Sequence, residues 1–228
     1  MGSKLSRSRS SRNKESALDL LRNFQTVLIV DDSRSMKGEL WEQAGKALQD
    51  LAAVASEYDV DGLEIHFFNS NVVAKGIKTA EEVEDVFNKV TPTNSTPMGL
   101  KLHSLLEPYV AALKINSNLK HVNYIVITDG APTDRPETEP EVVIVAAARE
   151  LDSISAPLGQ VGIQFVQVGG NRAATRYLES LDNNLRTKHN IRDMVDTTFA
   201  PVNKPLDMIK ILTGGFNRRV DEHGSKGL

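Results

Sequence analysis

The sequence contains no cysteine, which excludes a disulfide scaffold, a thiolate zinc site and a cysteine nucleophile and sits easily with a reducing compartment. No apolar run approaches the ~20 residues needed to span a bilayer. No hydrophobic signal peptide and no internal repeat is visible. A formal net charge of -3 provides no overall attraction for nucleic acid, so no nucleic-acid partner is expected. The five histidines, at 66, 103, 121, 189 and 223, are scattered, which speaks against a shared metal role. These absences lead to the expectation of a cytoplasmic protein, with any membrane contact made by attachment.

What is present suits one sizeable globular core: 228 residues, 40% apolar and 25% charged. Charge is unevenly placed. Lys4, Arg7, Arg9, Arg12 and Lys14 all precede the first acidic residue, Glu15, in a Ser-rich stretch with almost no apolar residues. Residues 1–16 therefore read as a disordered basic stretch within an N-terminal arm of residues 1–19. The folded domain is expected over 20–217, and 218–228, without periodic apolar positions, as a short C-terminal tail.

Thr26-Val-Leu-Ile-Val30 is a β-branched run that suits a strand buried on both faces. Leu40, Trp41, Ala44, Leu48, Leu51, Ala52 and Ala55 then recur at helical spacing. A second strand is expected at 63–68, and the short link Asn69-Ser-Asn71 predicts an antiparallel hairpin to a third run at 72–74. Helices follow near 79–89 and 98–114, then a strand at 122–127, a helix near 139–153 and a strand at 161–168. A helix near 172–184, a weaker strand around 193–198 and a helix near 205–213 complete the pattern. Strands alternating with helices imply a doubly wound α/β fold, its mostly parallel sheet covered on both faces, with one antiparallel edge strand. Ligands bind such sheets just beyond the carboxyl ends of the strands.

Three loops at those ends carry oxygen donors: Asp31, Ser33 and Ser35 after the first strand, Thr96 in the 91–97 loop, and Asp129 after the central strand. Coordination by hydroxyls and carboxylates alone suits Mg²⁺, Mn²⁺ or Ca²⁺ rather than zinc or copper. Taken singly, Ser33, Ser35 and Thr96 also fit turn or helix-capping roles, and Asp129 a tight turn before Gly130. Asp32, Glu39 and Asp134 read as solvated loop carboxylates, and Trp41 as a core or groove residue.

The pattern Asp31-x-Ser33-x-Ser35, then Thr96 with Pro97 and Gly99, then Thr128-Asp129-Gly130, resembles the metal-ion-dependent adhesion site of von Willebrand factor type A domains. The resemblance covers about residues 24–215, with Thr96 lying 61 residues beyond Ser35 and Asp129 lying 98 beyond Asp31. It implies a six-stranded sheet and a cation with an open position that captures a Glu or Asp side chain of a protein partner. It also implies binding rather than catalysis, and no positioned base, nucleophile or phosphate loop accompanies the set. Arg34 departs from the family pattern, standing where glycine is common. A guanidinium beside the ion repels it unless the side chain turns outward, pairs with Asp32 or clamps the incoming carboxylate.

Two other readings compete. Val27-Leu-Ile-Val-Asp-Asp-Ser33 and Lys204-Pro205 echo a receiver domain of two-component signalling, but no apolar strand closed by a phosphoacceptor Asp stands around 75–90. A Mg²⁺-dependent phosphatase resembling the haloacid dehalogenases needs a second aspartate two residues after the nucleophile, where this chain has Ser33. Gly169-Gly170-Asn171 reads as an ordinary strand-to-helix connection. At the amino terminus, Met1-Gly2-Ser3-Lys4-Leu5-Ser6 fits the N-myristoylation pattern on Gly2, backed by the basic run, although Met-Gly-Ser also arises as a cloning remnant. Lipidation would place the protein peripherally on the cytosolic face of a membrane.

Overall fold

Val27, Leu28, Ile29 and Val30 are buried without a break, as a strand covered on both faces requires. They end β1 (Phe24–Val30) in the computed structural model, which describes residues 18–199 and 208–223. Side chains alternate across the strand, so Val27 and Ile29 enter one apolar cluster while Leu28 and Val30 enter another. The basic stretch 1–16, Gly2 and Lys204-Pro205 lie outside the described residues.

After α1 (Glu39–Ala55), β2 (Leu63–Phe67) pairs parallel with β1, and β3 (Ala74–Ile77) pairs antiparallel with β2. Next come α2 (Ala80–Phe87) and α3 (Met98–Ile115), and then β4 (His121–Thr128), parallel to β1 on its other side. The chain continues through α4 (Pro140–Ser153), β5 (Val161–Gln167), α5 (Arg172–His189), β6 (Val195–Phe199) and α6 (Met208–His223). The sheet order is β3-β2-β1-β4-β5-β6. This is the expected doubly wound α/β fold, mostly parallel with one antiparallel edge. Helices α3, α4 and α5 cover one face, and α1, α2 and α6 the other. The winding direction reverses between β1 and β4, which opens a crevice at their carboxyl ends. Trp41, half-buried, packs its ring 4.5 Å from that of Phe87 and 6.0 Å from that of Phe67, at the edge of the core, in keeping with the core or groove role expected of it.

Three elements differ from expectation. The third strand begins at Ala74 rather than Val72, because the intervening backbone is committed elsewhere: Asn69 and Ser70 donate their N–H groups to the Asp32 carboxylate, and Val72 N–H goes to Ser70 Oγ. Helix α5 runs to His189 instead of 184, because Leu185 extends the buried stripe of Leu178 and Leu181 and the left-handed Asn190 supplies the stop. Helix α6 runs to His223, beyond 213 and into the expected tail. The Gly214-Gly215 pair is not a terminator. A Cβ at Gly162 in β5 would stand 2.7 Å from Gly215 O, so glycine faces glycine where helix backbone presses on strand backbone.

Candidate metal centre

Strands β1 and β4 deliver the two aspartates. Asp31 follows Val30 and keeps the sheet ladder going, its N–H donating to Ile127 O at 2.9 Å, while Asp129 follows Thr128. Asp31 is fully buried. Its Oδ1 accepts the Ser33 N–H at 2.8 Å, and its Oδ2 accepts the Thr128 hydroxyl at 2.6 Å. Ser33 Oγ lies 3.0 Å from Ser35 Oγ, which donates to Asp129 Oδ1 at 2.9 Å. Four of the five sequence-predicted ligands are thereby brought into one continuous cluster from residues 98 positions apart.

Thr96 is buried on the third loop. Its N–H donates to Thr133 Oγ1 at 2.9 Å and its carbonyl accepts Thr133 N–H at 3.0 Å, which ties it to the loop after β4. Arg34 N–H donates to Asn94 O at 3.2 Å, which ties the same segment to the loop after β1. Among the described residues no hydrogen bond joins the Thr96 hydroxyl to the other four. The capping role left open for Thr96 belongs instead to Asp134, whose carboxylate accepts Gly99 N–H at 3.0 Å and Leu100 N–H at 2.8 Å in the first turn of α3. Ser33 makes no side-chain capping bond, and Thr128 Oγ1 rather than Asp129 serves the turn by accepting Gly130 N–H at 3.2 Å.

Of the three carboxylates expected to be solvated, Asp32 is buried, Asp134 is half-buried and Glu39 is exposed. A short acidic side chain in a loop finds backbone N–H groups to accept from, and Asp32 and Asp134 both do. Asp32 is 1% exposed and holds the N–H groups of Asn69 and Ser70 at 2.8 and 2.9 Å, while Glu39 is exposed as expected. With Asp32 so engaged, Arg34 forms no pair with it, and Arg34 is exposed. Asn171 confirms the ordinary connection expected after β5, accepting N–H bonds from Ala173 and Ala174 at the start of α5.

Burial pushes the Asp31 carboxyl up to about 6, and the nearby Asp129 charge adds to this, against the opposing hydrogen bonds from Ser33 and Thr128. A buried carboxylate close to a second one is stabilised in its charged form by a cation. Among the described residues no three carboxylates or imidazoles gather as metal ligands, so a cation here depends on hydroxyl donors as well as on Asp31 and Asp129. The hard, oxygen-only donor set fits Mg²⁺, Mn²⁺ or Ca²⁺. Sequence reading quotes Thr128 within the motif without giving it a role, and it misses Thr133 and Asn69 as supporting residues. Their roles depend on loop contacts that no local spacing reveals. No protein-family model and no curated protein matches this chain.

Proposed function

We propose that the chain is a metal-dependent protein-binding module of the von Willebrand factor type A kind. In this reading Asp31, Ser33, Ser35, Thr96 and Asp129 hold Mg²⁺ or Mn²⁺, and an open position on the ion takes a Glu or Asp side chain of a protein partner. The observation that carries it is the contact chain from Asp31 through Ser33 and Ser35 to Asp129 at the crevice between β1 and β4. Such a donor set leaves a cation electron-poor and receptive to an anionic oxygen. Asp31, the nucleophile a phosphatase would use, is fully buried with both oxygens engaged, which favours binding over hydrolysis. The test is an affinity capture from lysate, repeated with EDTA and with Asp31→Ala. Partners that depend on both are expected, together with no hydrolysis of an aryl phosphate in Mg²⁺; a metal-dependent phosphatase activity lost in Asp31→Ala would replace this reading with the enzymatic one.

The same proposal extends to a peripheral membrane attachment through residues 1–16, supported by Gly2 and the five basic residues ahead of Glu15. One myristoyl chain binds bilayers with an association constant of only about 10⁴ M⁻¹, so a second signal is required. Basic residues at an anionic leaflet contribute roughly 1 kcal/mol each, enough for five to make attachment stable. In a eukaryotic cell the full chain is expected in the membrane fraction and Gly2→Ala in the cytosol. Equal partition of the two removes the attachment from the proposal and leaves the metal site untouched.

A further inference from the structure

Asn69, half-buried in the link between β2 and β3, reaches residues of two other loops at once. Its Nδ2 donates to Asp32 Oδ1 at 3.1 Å, to Thr93 O at 3.3 Å and to Ser95 O at 2.9 Å. Two amide hydrogens thus serve three oxygens. Its own N–H adds a fourth bond, to Asp32 Oδ1 at 2.8 Å, and Thr93 N–H returns one to Asp32 O at 2.7 Å. The first loop, the β2–β3 link and the 93–96 loop are therefore laced together around one side chain. The bond to Ser95 O falls on the residue directly before Thr96, and Thr133 holds Thr96 through both its N–H and its carbonyl. Between Thr93 and Ser95 sits Asn94 with φ +60, a left-handed backbone that needs support from its surroundings.

We infer that Asn69 is a positioning residue for the metal centre: it fixes the 93–96 loop so that the Thr96 hydroxyl is presented to a cation held by the β1 and β4 loops. This rests on reading Thr96 as a ligand. The chemistry calls for an uncharged double donor at 69. Aspartate would set a second anion against Asp32 and two carbonyl oxygens, and alanine would leave Thr93 O and Ser95 O without the Asn69 donor while Asp32 Oδ1 kept only the backbone N–H of residue 69. Supporting residues of this sort typically change metal affinity by about 10- to 100-fold when removed.

The test is a Mn²⁺ titration of the full chain, following free Mn²⁺ by electron paramagnetic resonance, for the wild type, Asn69→Ala, Thr96→Ala and the double variant. The expected result is Mn²⁺ binding by the wild type, a loss of about tenfold in Asn69→Ala, and no further loss when Asn69→Ala is added to Thr96→Ala. That non-additivity marks action through Thr96, which a general loosening of the fold does not produce. Asn69→Ser, which keeps one donor, goes through the same cycle should the alanine variant fail to fold. A wild type that does not bind Mn²⁺ removes the metal site itself and this inference with it. A wild type that binds, with an unchanged constant in Asn69→Ala or with losses that simply add, leaves the metal site standing and overturns the role of Asn69.

Discussion

Millimolar Mg²⁺ or Mn²⁺ is expected to raise the melting temperature of the wild type by roughly 5–10 °C at neutral pH, and that of Asp129→Ala not at all. An ion that binds only the folded form at 100 times its dissociation constant stabilises by about 2.7 kcal/mol. For a chain of this size each kcal/mol moves the midpoint by roughly 2–4 °C. Asp129→Ala removes one of only two carboxylates in the set, together with the acceptor of the Ser35 hydroxyl. The increment also has a predictable pH dependence, because the Asp31 carboxyl rises to about 6 on folding from an ordinary value near 3.8. Between those values the folded state holds the proton more tightly than the unfolded state, so metal-free stability falls as pH rises through the window. Above that window the buried carboxylate costs on the order of 3 kcal/mol without a counter-charge. A cation supplies that charge and competes with the proton, so its stabilising effect should be full above about pH 6 and fade below. Calorimetric scans with and without metal on both sides of that pH read all of this; a wild type unmoved by either ion at neutral pH sinks the metal site.

Gly99→Ala is expected to destabilise the fold by about 3 kcal/mol or more, a large effect for a single methyl group in a helix. In an open helix the same change stabilises by up to about 1 kcal/mol. Here a Cβ would overlap the Thr138 carbonyl oxygen and stand 2.7 Å from Pro140 N and 2.9 Å from Glu139 C. These are backbone atoms that no rotamer change moves, and overpacking of a well-filled contact costs about 1–3 kcal/mol and occasionally more. The contact seats the first turn of α3 against the start of α4, next to Asp134 and three residues beyond Thr96. Gly130→Ala is the control, since a Cβ there meets nothing within 4 Å and should change stability by less than about 0.5 kcal/mol. Chemical denaturation of the two variants decides the matter, and equal midpoints would show that the α3–α4 contact yields easily.

Both glycines bear on what can be read from sequence alone. Gly99 is visible as part of a motif, but its reason, a backbone contact with the segment Thr138 to Pro140, belongs to tertiary packing. The sheet itself is legible because β1 and β4 are apolar runs of the kind that buried strands require. The start of the edge strand is not, because the loop before it spends its N–H groups on Asp32, and long-range acceptors leave no local trace. For the site, Asp31, Ser33, Ser35 and Asp129 follow directly from their positions after β1 and β4, and the structure gathers them. Asp32 and Asp134 escape a local reading for the same reason the edge strand does: their partners, Asn69, Ser70, Gly99 and Leu100, lie 34 to 38 positions away.

The wide separation of Asp31 and Asp129 also sets an order of events. A compact zinc finger has its ligands close in sequence and can use the metal to nucleate its fold. Here no stretch of chain shorter than the span from β1 to β4 contains both carboxylates, and the two meet only after the crossover through α1, β2, β3, α2 and α3 has been made. Closing such long loops is the slow, entropically expensive part of folding. A nascent chain that has emerged only as far as α3 lacks Asp129, one of the two carboxylates, so a cation held as proposed would arrive as a report that the central strands have already met.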